Sequence, residues 1–384
     1  MKVLHFKTSY LNQSETFINR LVRNHKDYEP VISTAFKKEY TEGLNIYEMP
    51  KYGIKGFLNR TQLKLNRSPQ FLNNVILKEQ PSVIHGHFAL DSYRLLSVSR
   101  RNKIPLIVNF YGYDVMRLPK EFGWKTRYNR LKAQAAHYIA GSEDMKNNLT
   151  EMGFPEERIE VIKLGLDMDN ISFRPKQKAG LNLMMVGRMV EKKGYEYALK
   201  AVSILKQKNY PVHIDLYGDG SLKPFLKDLC KALDIEDIVT FNGNTPNRTI
   251  ITELYHHDIL LIPSVQAEDG DREGIPQTIV EGMASGIPVI GSYHAGIPEL
   301  VINGETGLLV KERDELEIAH SIIKLYKNPE LVKRIIRKAK VLVKQEHCIH
   351  KMVSKTESLY NRVIQNGDNY YTGGEMITQK RQVQ

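Results

Sequence analysis

Short apolar runs alternate with longer amphipathic segments along the whole chain. Residues 2–6 form an apolar run typical of a buried strand, and residues 15–23 carry Phe17, Ile18, Leu21 and Val22 at the spacing of an amphipathic helix. Similar apolar runs predict strands at residues 82–85, 105–110, 136–140, 181–186, 213–217, 239–241, 259–262 and 288–290. Because helical patterns of roughly ten to fifteen residues separate such runs, the chain is predicted to form parallel sheets with helices on both faces.

Two series of this kind are present, one on each side of a polar segment at residues 173–180. A chain of 384 residues is also too long for one ordinary core. We therefore predict an α/β protein with two Rossmann-like domains, at residues 1–175 and 176–345, a helix at 346–366 that crosses back to the first domain, and a mobile tail at 367–384. Ligands of open α/β sheets bind beyond the carboxyl ends of the strands, so a cleft between two facing sheets is the expected site.

The positive charge is concentrated in the first half of the chain. Residues 1–177 hold 28 of the 55 Lys and Arg residues but only 18 of the 44 Asp and Glu residues, which leaves +10 of the net +11 there. This asymmetry indicates an anionic partner for the first domain, and a membrane surface, an anionic polymer and a nucleic acid all satisfy it. A basic surface that serves only solubility is the alternative.

Composition predicts a cytoplasmic location. No apolar run approaches the roughly 20 residues that span a bilayer, and the N-terminus is typical of a first strand and not of a signal peptide. The two cysteines, Cys230 and Cys348, give neither a disulfide framework nor a metal-ligand spacing.

Two glutamates flank the start of a predicted helix in the second half. Glu273 ends an acidic loop, and Glu281 lies inside a helix that begins near Pro276, a residue suited to a first helical turn. Backbone amides at such a start can hold phosphate or sugar oxygens. The spacing places the two carboxylates at different depths of one groove. The alternative is that Glu273 only caps the helix and Glu281 is a solvated helix residue.

A glycine-containing loop follows the strand predicted at residues 181–186. It carries Arg188 and Lys193 between Gly187 and Gly194, which would bring both cations over the end of the strand. Arg offers bidentate contacts and Lys a point charge, so a diphosphate suits such a loop. The third glycine of the dinucleotide fingerprint is missing, and two solvated cations are the alternative.

Together these segments resemble the retaining GT-B glycosyltransferases, in particular glycosyltransferase family 4, over residues 1–345. Glu273 and Glu281 match the family's Glu-x7-Glu pair. The other matching pieces lie at residues 165–167, 173–175, 187–188, 193–194, 217–220, 241–243, 263–264, 284–290, 296–301 and 303–310. The resemblance implies two Rossmann-like domains whose parallel sheets face each other across a cleft.

The resemblance also implies roles in the second domain. Arg188 and Lys193 would bind the donor's diphosphate, Glu281 would hold the ribose, and Glu273 would act at the transferred sugar. The remaining predicted donor contacts are Gly187, Asn242, Gly243, Gly274, Ile275, Pro276 and Gln277. No cofactor and no metal are expected, because the family requires none. Asp269 and Asp271 have a metal-like spacing, but they lie in the family's loop before Glu273.

The first domain departs from the family pattern at one position. Where many relatives have a His-Gly pair followed by Asp, this chain has Tyr111, Gly112 and Asp114. Tyrosine can donate a hydrogen bond to a sugar but cannot act as a base near neutral pH. Tyr111 is therefore a candidate catalytic residue beside Glu273, with a packing role as the alternative. His87 and Asp114 are predicted on the acceptor side.

Two further stretches of the first domain fall at predicted strand ends. The spacing of His85 and His87 could suggest metal ligation, but no third ligand is evident in the sequence, and a structural role is favoured. Ser14, Glu15 and Thr16 replace the Gly-Gly loop of some relatives, and their amides would contact the sugar phosphate.

Residues 51–78 form a basic amphipathic stretch. Apolar side chains alternate there with five cations that have no acid among them: Lys51, Lys55, Arg60, Lys64 and Arg67. Such a stretch can lie on an anionic bilayer, so peripheral association with the inner face of the cell membrane is a hypothesis. An ordinary exposed helix and loop is the alternative.

We therefore expect a retaining, metal-independent hexosyltransferase. It would move a sugar from a nucleotide-diphosphate donor, with UDP as the expected nucleotide, to a glycan or lipid-linked acceptor in bacterial surface polysaccharide or glycolipid synthesis. Retention is implied by the family, since no carboxylate suited to a double displacement can be identified. The alternatives are a phosphorylase or sucrose-type synthase, and a catalytically silent protein that binds a nucleotide sugar or an anionic polymer. Nucleic acid is not an expected partner, because no nucleic-acid motif is present.

Overall fold

The computed structural model describes residues 1–10, 15–37 and 43–366, and the chain divides into two compact units. Of the described residues, the first unit contains those of Met1–Gly165 and residues 349–366, and the second contains Leu166–Cys348. The predicted tail at residues 367–384 lies outside the described residues, as does Ser14.

The division between the units lies earlier than the predicted boundary at residue 175. The reason is that residues 174–176 already bond to the second unit. The amide of Arg174 donates to the carbonyl of Ser285 at 2.9 Å, and the amide of Lys176 donates to the carbonyl of Gly286 at 3.2 Å.

The first unit is built on a parallel sheet. Its strands are β1 (Lys2–Phe6), β2 (Ser9–Tyr10), β3 (Glu29–Thr34), β4 (Phe36–Lys37), β5 (Asn45–Glu48), β6 (Val83–His87), β7 (Leu106–Asn109), β8 (His137–Ala140) and β9 (Ile159–Val161). Its helices up to the division are α1 (Thr16–Arg23), α2 (Gly53–Lys64), α3 (Gln70–Glu79), α4 (Ala89–Asn102), α5 (Tyr113–Met116), α6 (Trp124–Gln134) and α7 (Glu143–Glu151). The main sheet has the order β5-β3-β1-β6-β7-β8-β9, and β2 pairs with β4 in a separate parallel ladder.

The second unit repeats this architecture. Its strands are β10 (Asn182–Val186), β11 (His213–Tyr217), β12 (Val239–Gly243), β13 (Ile259–Ile262), β14 (Val289–Ser292) and β15 (Leu308–Val310). Its helices are α8 (Tyr195–Gln207), α9 (Lys223–Ala232), α10 (Asn247–Glu253), α11 (Gln277–Ser285), α12 (Glu315–Lys327) and α13 (Pro329–Glu346). The sheet order is β12-β11-β10-β13-β14-β15, with all pairs parallel.

The strands predicted from the apolar runs are all present, with bounds shifted by at most a few residues. Central strands are buried over their whole length, as β6 and β13 illustrate, which is expected when helices cover both faces of a parallel sheet. Helix α11 is also buried over most of its length, so it carries Glu281 into the interior.

The last described helix, α14 (Ile349–Gln365), belongs to the first unit. Its buried residues Met352, Val353 and Tyr360 pack against Val3 of β1 and Val83 of β6. Among the helices of the described residues, none combines the length and the apolarity that crossing a bilayer requires.

Candidate functional site

The loops that follow β10, β11 and β13 lie tightly against one another at the carboxyl edge of the second sheet. A Cβ on Gly218, whose φ is +130°, would lie 1.9 Å from the carbonyl oxygen of Gly187. A Cβ on Gly194, whose φ is +67°, would lie 1.8 Å from the carbonyl oxygen of Pro263. Both positions therefore require glycine, for conformation and for space. This packing brings the loop that carries Arg188 and Lys193 to the end of β13.

Lys193 and Glu273 form an ion pair at this edge. The Lys193 ammonium lies 3.2 Å from Oε2 of Glu273, and the ammonium of the neighbouring Lys192 lies 3.5 Å from Oε1. Only 11 % of the Glu273 side chain is exposed. Burial alone would raise the pKa of Glu273, but Lys193 and Lys192 outweigh it, and the pKa lies below its ordinary value. Glu273 is thus a carboxylate near neutral pH and can accept hydrogen bonds from hydroxyl groups.

His294 holds the backbone at Glu273 in place. The amide of Glu273 donates to Nε2 of His294 at 3.1 Å, and Nδ1 of the same ring lies 2.7 Å from Oε1 of Glu312. The arrangement requires a neutral ring with its proton on Nδ1, because Nε2 must accept. Neither His294 nor Glu312 was predicted as a site residue. The only signal in the sequence is that His294 comes just before the family-like segment at residues 296–301.

The start of α11 presents two buried polar side-chain atoms. Oε1 of Gln277 and Oγ1 of Thr278 are buried and have no hydrogen bond among the described residues. They lie in the first turn of a nine-residue helix whose cap residue, Pro276, offers no side-chain acceptor. The predicted contacts Gly274 and Ile275 lead directly into this turn. Helix amides and unpaired buried side chains at one point are the features of a site for an oxygen-rich ligand.

Glu281 lies deeper along the same helix. It is 2 % exposed, and its Oε1 accepts a hydrogen bond from Nδ2 of Asn247 at 2.9 Å. The interpretation of Glu281 as a solvated helix residue is therefore wrong. Asn247, the first residue of α10, was not predicted as a site residue, and its hydrogen bond fixes the Glu281 carboxylate.

Arg188 follows β10, and Asn242 and Gly243 are the last two residues of β12. Arg188 is exposed, and within the described ranges its guanidinium has no hydrogen bond or ion pair. Nδ2 of the exposed Asn242 donates to Oδ1 of Asp215 at 2.8 Å. The carbonyl of Gly243 accepts from the amide of Gly218 at 2.7 Å, which ties β12 to the loop after β11.

Asp271, one member of the metal-like pair, is engaged with a cation. Its carboxylate lies 3.1 Å from the ammonium of Lys192, and its amide donates to Asp269 at 2.8 Å. The loop is thereby closed on itself beside Glu273.

In the first unit, Tyr111 contacts a buried histidine. Its hydroxyl lies 2.7 Å from Nδ1 of His87, and its ring packs at 4.7 Å from that of Phe17 and at 4.6 Å from that of Phe88. Burial, followed by the nearby Asp114 and Glu15 carboxylates, raises the pKa of Tyr111 well above its ordinary value. The hydroxyl is thus neutral, and packing and hydrogen bonding both fix its direction.

Asp114 is fully buried and organises the loop after β7. Its Oδ1 accepts from the amides of Tyr111 and Gly112 at 3.0 and 3.1 Å, and its Oδ2 accepts from the amide of Ala89 at 3.0 Å. The carboxylate therefore joins this loop to the start of α4. Its observed contribution is to hold Tyr111 in position.

Glu15 and Thr16 lie at the start of α1. Oε1 of Glu15 is 3.5 Å from the ammonium of Lys7, which is also 3.5 Å from Oδ2 of Asp91. Thr16 is exposed and begins the helix. Lys7, which was not predicted, thus places a cation beside the segment expected to contact the sugar phosphate.

Family models match both halves of the chain. Residues 168–342 match the model described as Glycosyl transferases group 1, and residues 17–170 match the model described as Glycosyltransferase Family 4.

Two curated relatives are named for the biosynthesis of amylovoran and of colanic acid. The amylovoran biosynthesis glycosyltransferase AmsK of Erwinia amylovora is 35 % identical over 243 residues, which cover 63 % of this chain and 60 % of the relative. The putative colanic acid biosynthesis glycosyltransferase WcaL of Escherichia coli K12 is 34 % identical over 224 residues, which cover 58 % and 55 %. The chain thus spans less than two thirds of the length of either relative.

The fold has a solved counterpart. The structure of Anabaena HepE in complex with UDP superposes with a TM-score of 0.77 at 18 % identity, covering 94 % of this chain and 100 % of that one. The fold is therefore GT-B. Because the two family models together extend from residue 17 to residue 342, the chain belongs to glycosyltransferase family 4, the glycosyl transferases of group 1.

Proposed function

We propose that this chain transfers a hexose-type sugar from UDP-sugar to a glycan or lipid-linked acceptor in surface polysaccharide or glycolipid synthesis, with retention of the anomeric configuration and without a metal in the reaction. The observation that carries the proposal is the Lys193–Glu273 ion pair beside the start of α11 in the second unit. There, Oε1 of Gln277 and Oγ1 of Thr278 have no partner in the part of the chain that the structure describes.

Positive charge at this edge suits the leaving group. When the sugar departs, negative charge develops on the nucleotide diphosphate, and fixed cations and helix amides stabilise that charge. Lys193 is held within reach of the strand end, and Arg188 has no competing partner in the described part of the chain. These two residues and the first turn of α11 would supply the charge that a metal supplies in other transferases.

The two glutamates have different environments, which supports different roles. Glu273 is ionised and lies at the mouth of the α11 turn, so it would accept hydrogen bonds from hydroxyls of the transferred sugar. Glu281 is buried beside Asn247 and would hold the ribose hydroxyls. We infer attack by the acceptor on the face from which the diphosphate departs, a reaction that needs positioning and leaving-group stabilisation.

The proposed nucleotide and pathway rest on the relatives. HepE binds UDP in its solved structure, and AmsK and WcaL are named for amylovoran and colanic acid biosynthesis. We extend both to this chain as a UDP-sugar donor and a growing surface polysaccharide as acceptor. Tyr111 and His87 would lie on the acceptor side, where the neutral Tyr111 hydroxyl would donate a hydrogen bond.

Helix α2 supports a peripheral membrane location on the cytoplasmic face. Its apolar residues Ile54 and Phe57 are 80 % and 63 % exposed, and Lys51, Lys55 and Arg60 are exposed around them. Exposed apolar side chains beside several cations are the composition of a surface that contacts anionic lipid. Such contact would bring the enzyme to a lipid-linked acceptor.

A donor panel tests the proposal. The full chain is incubated with UDP-, GDP- and ADP-hexoses, and both thermal stabilisation and release of the nucleoside diphosphate are measured. We expect UDP-sugars to stabilise the protein and to be turned over, and Lys193→Ala to lower turnover by roughly a hundred- to thousandfold. The matched control is Lys200→Ala, which removes a lysine paired with Glu196 on α8 of the same unit.

Two outcomes would contradict the proposal. Turnover in Lys193→Ala equal to that in Lys200→Ala would remove Lys193 from the site. Tight binding of a UDP-sugar with no turnover, with or without lipid-linked and glycan acceptors, would favour a silent binding protein, an alternative that the replacement of the family histidine by Tyr111 supports.

A further inference from the structure

Three fully buried histidines meet on one face of the first sheet. His5 of β1 and His85 of β6 are register partners on neighbouring parallel strands, and His87 lies two residues further along β6, on the same face. One ring nitrogen from each of the three can be chosen so that all lie within 4.8 Å of one another. The sequence showed the pair at residues 85 and 87 but not the third histidine, which is 80 positions earlier.

The nitrogens that point away from this meeting point all have partners. Nδ1 of His87 lies 2.7 Å from the hydroxyl of Tyr111, and Nδ1 of His85 lies 2.6 Å from the hydroxyl of Tyr360. Each of the two rings can therefore carry its proton on Nδ1 and donate it to a tyrosine oxygen, which leaves Nε2 with a lone pair.

His5 has the same arrangement through a longer chain of contacts. Its Nε2 lies 3.0 Å from Nε2 of His25, whose Nδ1 lies 3.1 Å from Oε1 of Glu357. A proton on Nδ1 of His25 can be donated to Glu357, and a proton on Nε2 of His5 to His25. Nδ1 of His5 then has a lone pair and lies 3.0 Å from Nε2 of His87.

A hydrogen-bonded cluster without an ion does not account for His85. A proton between His5 and His87 would satisfy those two rings, since their nitrogens are 3.0 Å apart. Nε2 of His85, however, is buried and has no hydrogen-bond partner among the described residues. An unpartnered buried polar atom destabilises the folded state. A ligand at the meeting point would satisfy all three nitrogens at once.

We propose that Nδ1 of His5, Nε2 of His85 and Nε2 of His87 bind a divalent transition metal ion, with Zn²⁺ as the best match. Imidazole suits Zn²⁺, at Zn–N distances of about 2.0–2.1 Å, which places tetrahedral ligand atoms roughly 3.4 Å apart. In the structure, Nδ1 of His5 and Nε2 of His87 are 3.0 Å apart, and one nitrogen of each ring lies within 4.8 Å of the others, so small shifts reach this spacing. The three outward hydrogen bonds are the outer contacts that metal-binding histidines ordinarily make.

The protonation state of the cluster suits this role. With the protons placed as the hydrogen bonds allow, each of the three rings is neutral and keeps one lone pair for the ion, as metal ligation requires. The ion would join β1 to β6 and, through Tyr360 and Glu357, to α14. Three protein ligands leave the fourth tetrahedral position to a water molecule.

Metal content and cobalt spectroscopy of the full chain test the site. The protein is produced with Zn²⁺ in the medium and its metal is counted, and then it is stripped and titrated with Co²⁺. We expect one equivalent of zinc and visible absorption typical of tetrahedral Co²⁺. Stripping should lower the melting temperature, and added Zn²⁺ should restore it.

Variants identify the ligands. His85→Gln should weaken Co²⁺ binding at least about a hundredfold, and His25→Gln, which removes an outer contact, about ten- to hundredfold. His320→Gln removes an exposed histidine of α12 and should leave binding unchanged. Circular dichroism establishes that each variant is folded, and the wild-type measurements stand if His85→Gln is not. Less than a stoichiometric amount of metal in the wild type, or wild-type affinity in a folded His85→Gln, overturns the proposal.

Discussion

The ammonium of Lys193 lies 3.2 Å from Oε2 of Glu273, so the residue expected at the donor's diphosphate and the residue expected at its sugar form one ion pair. Their side chains are 17 % and 11 % exposed, and water screens the pair only weakly. Each charge therefore holds the other in position. Lys193 would have to divide its hydrogen bonds between Glu273 and the diphosphate, which couples binding of the donor to the geometry at the sugar.

This coupling predicts non-additive losses of activity. Lys193→Ala and Glu273→Gln should each lower kcat/KM by roughly a hundred- to thousandfold. The kcat/KM of the double variant should be no more than about tenfold below that of the worse single variant, because either change breaks the same ion pair. Initial rates with a saturable UDP-sugar measure all three.

The control is the surface pair on α8, Lys200 with Glu196 at 2.6 Å. Lys200→Ala, Glu196→Gln and their combination should keep wild-type kcat/KM within about twofold, because exposed pairs contribute little. Multiplied losses in the Lys193 and Glu273 double variant would show that the two residues act independently and would contradict the role given to the pair.

The contact of His294 with Glu273 leads us to expect that a change at His294 affects kcat more than KM. Its Nε2 accepts from the amide of Glu273, so His294→Ala leaves that amide without its acceptor and frees the loop. We expect kcat to fall about ten- to a hundredfold with KM little changed, because small displacements at a reacting centre are costly. Stability should fall by about 1–3 kcal/mol in urea unfolding.

The conservative replacement tests whether the hydrogen bonds are the cause. In His294→Gln the amide oxygen can accept from Glu273 and the amide nitrogen can donate to Glu312, as the two ring nitrogens do. This variant should recover most of kcat. If Gln and Ala are equally impaired, the packing of the ring and not its hydrogen bonding positions the loop.

Asp114 predicts a pH-dependent contribution to stability. Burial raises its pKa to about 6, against the opposing effect of the amides of Tyr111 and Ala89 that bond to it. Between about pH 4 and pH 6 the folded state thus binds more protons at this site than the unfolded state does. Stability from this group is present at the acidic end of that window and is lost as pH rises through it.

The difference between wild type and Asp114→Asn isolates this effect from other titrating groups. As pH rises from 4 to 7, the unfolding free energy of the wild type minus that of the variant should fall by on the order of 3 kcal/mol, since each pKa unit corresponds to about 1.4 kcal/mol. Urea unfolding at several pH values measures it. A difference that stays constant, or grows with pH, would mean that the amide hydrogen bonds outweigh burial.

Strands were predicted most closely where an apolar run lies between polar loops, although the apolar Leu308–Val310 was not predicted as a strand. Ile259–Ile262 matches its predicted bounds, because four consecutive apolar residues between polar loops allow little else. Glu29–Thr34 was missed, since it begins with a charge and a proline, and Asn45–Glu48 was missed because an edge strand is half exposed and carries polar residues. Only the sheet neighbours of these segments define them as strands.

The geometry of the candidate site was predictable only in part. The resemblance identified Lys193 and Glu273, but their pairing depends on β10 lying beside β13, which spacing along the chain does not specify. The same holds for His5, which joins the histidine pair of β6 because β1 is its neighbour. His294 acts through a ring nitrogen on a backbone amide, a contact without a sequence signature.

Helix α2 predicts salt-dependent binding to anionic vesicles. Phe57 on α2 and Leu77 on α3 belong to the same unit and are 63 % and 62 % exposed, but only Phe57 lies among the cations of residues 51–67. Lys and Arg near an anionic surface contribute roughly 1 kcal/mol each, and salt screens this attraction beyond about 10 Å at 0.1 M.

The protein should co-sediment with phosphatidylglycerol vesicles at low salt and dissociate at high salt. Phe57→Glu should abolish binding, whereas Leu77→Glu should retain it. Equal loss of binding in the two variants would assign the loss to the added negative charge. Binding that does not change with salt concentration would contradict attraction between the basic helix and the anionic lipid.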